Sequence, residues 1–339
     1  MSACDYSERL PVNRKLLLLF ILLFSFVFLS AQQTFYWKWQ VTGDSLQLTG
    51  DLQGHQKVTI IVAGSGIREK FAKVYKIIDL IEYQNANVYV HTIDTLSKQL
   101  LMPFAKQLRA CKTVIIDIDS SLLGLPLELL LVDKEAMAVF RPIAFRINSR
   151  VGKEISDTLT LRKGFIIRDP TSDPEDACAT IFHRYPSSIY KSAYKTTVAE
   201  LSRKTDADFF LISAHGYADS LTMRGGVFLK DAQISPDLFK RNNPKLVFID
   251  GCQQGINWTY ISALTESVEP NLYLGPIISN DSGESSTKTI NWFFSYLKQN
   301  GNPITALWKT RRRLYAYYHK KINSMDVANK AFIFRIYKL

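Results

Sequence analysis

Two short apolar runs limit what this chain can fold into more than any other feature. DADFFLISAHG carries Phe209–Ser213 straight into His215-Gly216, and PKLVFIDGCQQG carries Leu246–Ile249 into Asp250-Gly251-Cys252. Continuous β-prone runs of this kind, without polar alternation, belong to strands buried on both faces, as in a parallel sheet covered by helices. In such open α/β sheets, ligands sit just beyond the carboxyl ends of the strands. If the two strands are neighbours, an imidazole and a thiol meet at one rim.

Those two groups together have a definite chemistry. A thiolate is a strong nucleophile, and a nearby imidazole can take its proton or stabilise it as an ion pair. Glycines at 216 and 251 let a substrate backbone approach closely and free main-chain N–H groups to stabilise an oxyanion. The candidate catalytic pair is therefore His215 and Cys252, with the backbone N–H groups of Gly216 and Cys252 as the oxyanion hole. The other histidines, His55, His91, His183 and His319, lack such a partner and read as surface or core residues. No Cys-x-x-Cys or His-x-x-x-His spacing supplies further metal ligands, so neither a metal nor a cofactor is expected. A serine nucleophile is poorly supported without a Gly-x-Ser-x-Gly elbow.

At these residues the chain resembles the CHAT domains, caspase-like cysteine peptidase relatives of separase. The resemblance rests on SAHG, GGVFLKDAQIS and KLVFIDGCQQG in that order. Before them come LLMPFAKQL, VIIDIDSSLLGLPLELL and GFIIRDPTSDPEDA; after them comes YLGPIISNDSGESSTKTINWFFSYLKQNGNPITALWKTRRRL. It covers residues 88–315. The chain departs from the family's common ACETG around the nucleophile, having DGCQQG, and INWTYISALTESVEPN replaces a glycine-rich helix.

The resemblance implies an α/β, caspase-like three-layer sandwich with a mostly parallel central sheet flanked by helices. It also implies a cysteine endopeptidase acting on protein or peptide. The IDGC stretch resembles the Asp-Ser-Cys of metacaspases, which implies that Asp250 receives a basic P1 side chain and biases cleavage toward Lys or Arg. Asp219, four residues beyond His215, could line the groove or orient the imidazole, although a turn residue in GYADS is the simpler role. Glu128, in the Leu-Pro-x-Glu segment, could support the site or simply start a helix. The rival reading is a catalytically silent scaffold that binds a partner protein through the same groove.

Composition narrows the remaining classes. Of 339 residues, 47% are hydrophobic and 22% charged, which describes a globular body. The net charge of +11 is spread along the chain, and no aromatic-plus-basic module accompanies it, so nucleic acid is not an expected partner. Residues 1–15 end in Arg14-Lys15, Leu16–Leu29 is apolar but for Ser25, and FLSAQQ closes the run. This reads as a signal peptide over 1–31, or as an anchor giving membrane association through residues 16–29 if it is not cleaved. The body is then extracytoplasmic, secreted or periplasmic. Cys111 and Cys178 could pair; spacing alone does not decide this.

In chain order, residues 32–87 form a β-rich and βα segment packed on a main domain of residues 88–339. FYWKWQVT and SLQLTG alternate around Gly43-Asp44 and predict a hairpin. KVTIIVA predicts a strand leading through Gly64-Ser65-Gly66, read as an ordinary tight turn, into a helix over 68–83. Asn87–Thr92 predicts a strand, and residues 95–108 a helix that Pro103 bends or restarts. Strands follow at 113–119, 145–147 and 163–168, then helices from about Glu175 and over 194–204. A terminal strand is expected at 331–337.

Overall fold

A computed structural model describes residues 33–147, 158–196, 201, 204–230, 232–266, 271–280 and 282–339. The signal or anchor segment expected at 1–31, and most of the helix expected at 194–204, lie outside the described residues. Among the described residues, no helix is long and apolar enough to cross a membrane.

The chain begins with β1 (Thr34–Thr42), β2 (Ser45–Leu52) and β3 (Val58–Ala63), followed by β4 (Thr113–Ile118). Two short strands, β5 (Leu131–Val132) and β6 (Glu135–Ala136), make a separate hairpin. Then come β7 (Ile143–Ile147), β8 (Gly164–Arg168), β9 (Ile189–Ser192) and β10 (Phe209–Ser213). A second small hairpin joins β11 (Gly216–Ala218) to β12 (Gly225–Val227). The last strands are β13 (Leu246–Asp250), β14 (Leu272–Pro276) and β15 (Phe334–Lys338). Eleven of these form one sheet in the order β3-β2-β1-β4-β7-β15-β14-β13-β10-β8-β9. The molecule is thus α/β, with a large, mostly parallel sheet between helical layers; its antiparallel pairings are β1 with β2, β2 with β3, and β14 with β15.

Side chains alternate across the sheet as the pleat requires. Phe210, Ile212, Val247 and Ile249 enter one core, which includes Leu238, Phe239, Tyr260 and Ile261 from overlying helices. Phe209, Leu211, Leu246 and Phe248 enter the other, against Ile181, Ile290, Phe293 and Phe294. Both faces of β10 and β13 are therefore covered, which is why these strands read as unbroken apolar runs. β1 is different. Phe35, Trp37 and Trp39 are buried, whereas Tyr36 is 43% exposed, so its sequence alternates.

The hairpin between β1 and β2 turns where the sequence places it, with Thr42 opposite Ser45 and Gly43 at φ +58°, a conformation glycine adopts without strain. The N-terminal strands do more than pack on the domain. β1 pairs in parallel with β4 and extends the same sheet, and residue 87 falls inside the helix Ala86–Leu101. That helix also corrects the strand expected at Asn87–Thr92. Val88, Tyr89 and Val90 favour β structure locally, but Tyr89, Ile93, Leu96 and Leu100 recur at helical spacing and are all buried. Pro103 restarts the chain in a 3-10 turn, Met102–Phe104, before the helix Ala105–Ala110. The helix expected over 68–83 begins earlier, at Gly64, and ends at Asp79.

Cys111 and Cys178 are both free and buried, in the cores on opposite faces of the sheet. Glu128 lies in a 3-10 turn, Leu127–Leu129. It is fully buried and holds Arg335 of β15 through two contacts, 2.5 Å to Nε and 2.6 Å to Nη2. The helices Glu284–Asn300 and Pro303–Tyr318 form a hairpin whose outer seam is a ladder of cations over rings. Lys288 lies 4.9 Å from the Tyr317 ring, Arg313 4.2 Å from Trp292, and Lys309 5.8 Å from Tyr296. Each rung steps four residues along one helix and four back along the other.

Candidate active site

The site is assembled from the carboxyl ends of four adjacent parallel strands. β10 and β13 are paired with Ser213 opposite Asp250, so His215 and Cys252 leave the sheet side by side, each two residues beyond a paired position. β8 lies on the far side of β10, with Arg168 opposite Ser213, and continues into Asp169, Pro170 and Thr171. β14 flanks β13 and continues into Ser279 and Asn280.

His215 is exposed, and its Nε2 lies 2.8 Å from Thr171 Oγ1. Behind Thr171 sits Asp169, only 4% exposed, whose Oδ1 accepts from the Thr171 hydroxyl at 2.7 Å and from the Thr171 N–H at 2.8 Å. Burial works to raise the Asp169 carboxyl, but the Thr171 hydrogen bonds outweigh it and hold the group below the usual carboxylate range.

Cys252 is half-buried, and its thiol is directed at the Asn280 carbonyl, 3.8 Å away. Burial pushes this thiol up; the Asn280 contact works against that, and the Asp250 and Asp79 carboxylates add to it. Among the described residues, no hydrogen bond joins Cys252 to His215. The strand register brings the two residues to one rim, while each side chain is engaged with a different neighbour.

Asp250 is 2% exposed and accepts three side-chain hydrogen bonds, from Ser213 at 2.7 Å, Ser286 at 2.6 Å and Asn280 at 2.6 Å. Burial pushes its carboxyl up to about 6 even so. Asp219 serves its own turn: its Oδ1 accepts from the N–H groups of Leu221 and Thr222, which hold the carboxyl below its ordinary range. Gly216 opens β11, and its hydrogen faces the Gln254 side chain. A Cβ there would lie 2.8 Å from Gln254 Nε2 and 3.1 Å from the Gly226 carbonyl, so only glycine fits.

Several residues of the site have no signal in the sequence. Gln253 and Gln254 register there only as a departure from a family pattern. In the fold, Gln254 is fully buried and donates to the carbonyls of Tyr217 (3.2 Å) and Cys252 (3.0 Å), tying the hairpin after His215 to the thiol loop. Gln253 reaches in two directions, accepting from the Ala218 N–H at 3.2 Å and donating to Asp79 at 3.4 Å. Asp79 also accepts from the Ser279 N–H at 2.5 Å. The last residue of the helix Gly64–Asp79 therefore braces both loops that touch Cys252. Tyr75, one turn earlier, is 8% exposed, and burial, with the Asp79 carboxylate adding to it, raises its hydroxyl.

Among the described residues, no group of three or more His, Cys, Asp or Glu side chains is arranged to hold a metal ion. No protein-family model matches the chain, and no curated protein matches it.

Proposed function

We propose that the chain is a caspase-like cysteine endopeptidase of the CHAT type, with Cys252 as nucleophile and His215 as general base and acid. The observation that carries this is the parallel register of Ser213 with Asp250, which sets an imidazole and a thiol at neighbouring strand ends. In the reaction, the Cys252 proton passes to His215 as sulfur bonds to the scissile carbonyl carbon and the carbonyl π pair moves onto oxygen. The N–H groups of Gly216 and Cys252 stabilise that oxyanion. The C–N bond then breaks, and His215 returns the proton to the leaving amine. Water attacks the thioester with its proton accepted by His215, which releases the acid and restores the thiol. Substrate binding must turn Cys252 from Asn280 toward His215, because the thiol otherwise remains protonated.

Asp250 is proposed as the selector of a basic P1 residue, its hydroxyl and amide donors being exchanged for a Lys or Arg head group. With its carboxyl at about 6, Asp250 offers a negative charge only above that pH. The preference for Lys or Arg over a neutral P1 is therefore expected to strengthen as pH rises through about 6. Export through residues 1–31 belongs to the same proposal.

The contacts of Cys252 favour a second reading. A thiol held at a carbonyl and raised by burial suits a silent scaffold that binds a partner in the same groove. Cleavage of a randomised peptide library by the purified chain, beside Cys252→Ala, separates the two. Cleavage that vanishes in the variant, with basic P1 residues selected, is the expected result. No cleavage by either form, with the Cys252 thiol reduced and open to alkylation, would overturn the peptidase reading in favour of the scaffold.

A further inference from the structure

We propose that Asp169 and Thr171 are positioning residues that fix the tautomer of His215, placing its proton on Nε2 and leaving Nδ1 as the basic nitrogen. This rests on the peptidase reading for its consequence, though not for its geometry. The Thr171 hydroxyl has one proton to give and two lone pairs to receive with. It lies 2.7 Å from Asp169 Oδ1, 2.8 Å from His215 Nε2 and 3.3 Å from the Tyr194 hydroxyl. An ionised carboxylate only accepts, so the Thr171 proton is committed to Asp169. The hydroxyl oxygen must then accept from its other neighbours, which makes His215 Nε2 a donor. A neutral imidazole with Nε2–H has its lone pair on Nδ1.

The arrangement is held rigidly. Asp169 N donates to the Ser213 carbonyl at 2.7 Å, two residues before His215, and Asp169 O accepts from the N–H groups of Ser172 and Asp173. On the other side, the His215 carbonyl accepts from Phe228 N at 2.8 Å. The turn Asp169-Pro170-Thr171 and the His215 backbone are thus fastened to the same strand end. When His215 takes the thiol proton, the positive ring still donates from Nε2 to Thr171, with the Asp169 charge behind it. The relay therefore selects the tautomer and keeps a hydrogen-bond acceptor at Nε2 while Nδ1 takes the thiol proton.

The test uses the full chain labelled with ¹⁵N at histidine, with the His215 signals assigned by their loss in His215→Gln. In wild type at a pH where the ring is neutral, His215 should show a protonated Nε2 and an unprotonated Nδ1. Thr171→Val, which keeps the shape and removes the hydroxyl, should give a mixture of tautomers, and Thr171→Ser should restore the wild-type pattern. If the chain cleaves peptides, Thr171→Val should lower kcat about 10-fold with KM unchanged, a fraction of the ~10²–10⁴ that general acid–base catalysis supplies. A wild-type ring protonated on Nδ1, or a Thr171→Val pattern identical to wild type, would overturn the proposal. A wild type that cleaves nothing but shows the Nε2–H form, lost in Thr171→Val, would leave the relay standing and remove only the peptidase reading.

Discussion

Asp250 resists ionisation despite three hydrogen-bond donors, because full burial outweighs them and lifts its carboxyl from 3.8 to about 6. An acid whose pKa is raised by folding holds its proton more tightly in the folded chain. The stability linked to it is complete below about pH 4 and is lost as pH rises through about 6. Asp250→Asn removes this titration. Its stability relative to wild type should grow by up to ~3 kcal/mol between about pH 4 and about pH 8, as measured by urea unfolding at a series of pH values. A difference that stays constant over that range would show that burial does not tax this carboxylate. At this scale the sequence is legible where a residue's role depends on its own strand: the placing of His215 and Cys252 follows from apolar runs that end beside glycine. Asp169, Thr171, Asp79 and Asn280 act through bonds to other segments. Their roles depend on which strands and helices are neighbours, which no local pattern encodes.

The helical hairpin 284–318 is joined by something other than apolar packing alone. Its three cation–ring rungs repeat at the four-residue spacing of both helices, so each of these cations is matched to a ring across the seam. Glu284 closes one end, accepting from Tyr317 at 2.7 Å and Tyr318 at 3.0 Å, bonds that with Lys288 bring its carboxyl down to about 2. In a double-mutant cycle, Trp292→Ala and Arg313→Ala should show a coupling of about 0.5–1 kcal/mol. Independent effects of the two substitutions would mean that the 4.2 Å contact contributes nothing. The resemblance over this stretch implies a helix and a final helix here, but the ladder needs the two helices in register, which emerges only once they pack. The helix 86–101 shows the opposite failure. Its local β-branched cluster outvoted a longer apolar periodicity that was present in the sequence.

Across the whole molecule, β15 is the piece on which the sheet closes. It lies between β7 and β14, antiparallel to β14 along five paired residues and joined to β7 through Tyr337 and Phe145. Arg335 anchors it, pairing with buried Glu128 while donating to the carbonyls of Leu123 at 2.6 Å and Leu125 at 2.7 Å. Breaking one member of such a pair leaves an uncompensated buried charge. Glu128→Ala should therefore cost about 3–5 kcal/mol in denaturant unfolding, and Glu128→Leu combined with Arg335→Met should recover most of it. If the double variant is no better than the single, the charge is not what Glu128 neutralises. The terminal strand was legible from its own residues, whereas its place at the centre of the sheet was not. That place has a consequence for synthesis. The strands bearing the thiol and imidazole are translated before residue 277, yet the seam joining their half of the sheet to the N-terminal half is supplied only by residues 334–338. A nascent chain would thus carry two open half-cores until β15 emerges, keeping the nucleophile on an unfinished scaffold until then.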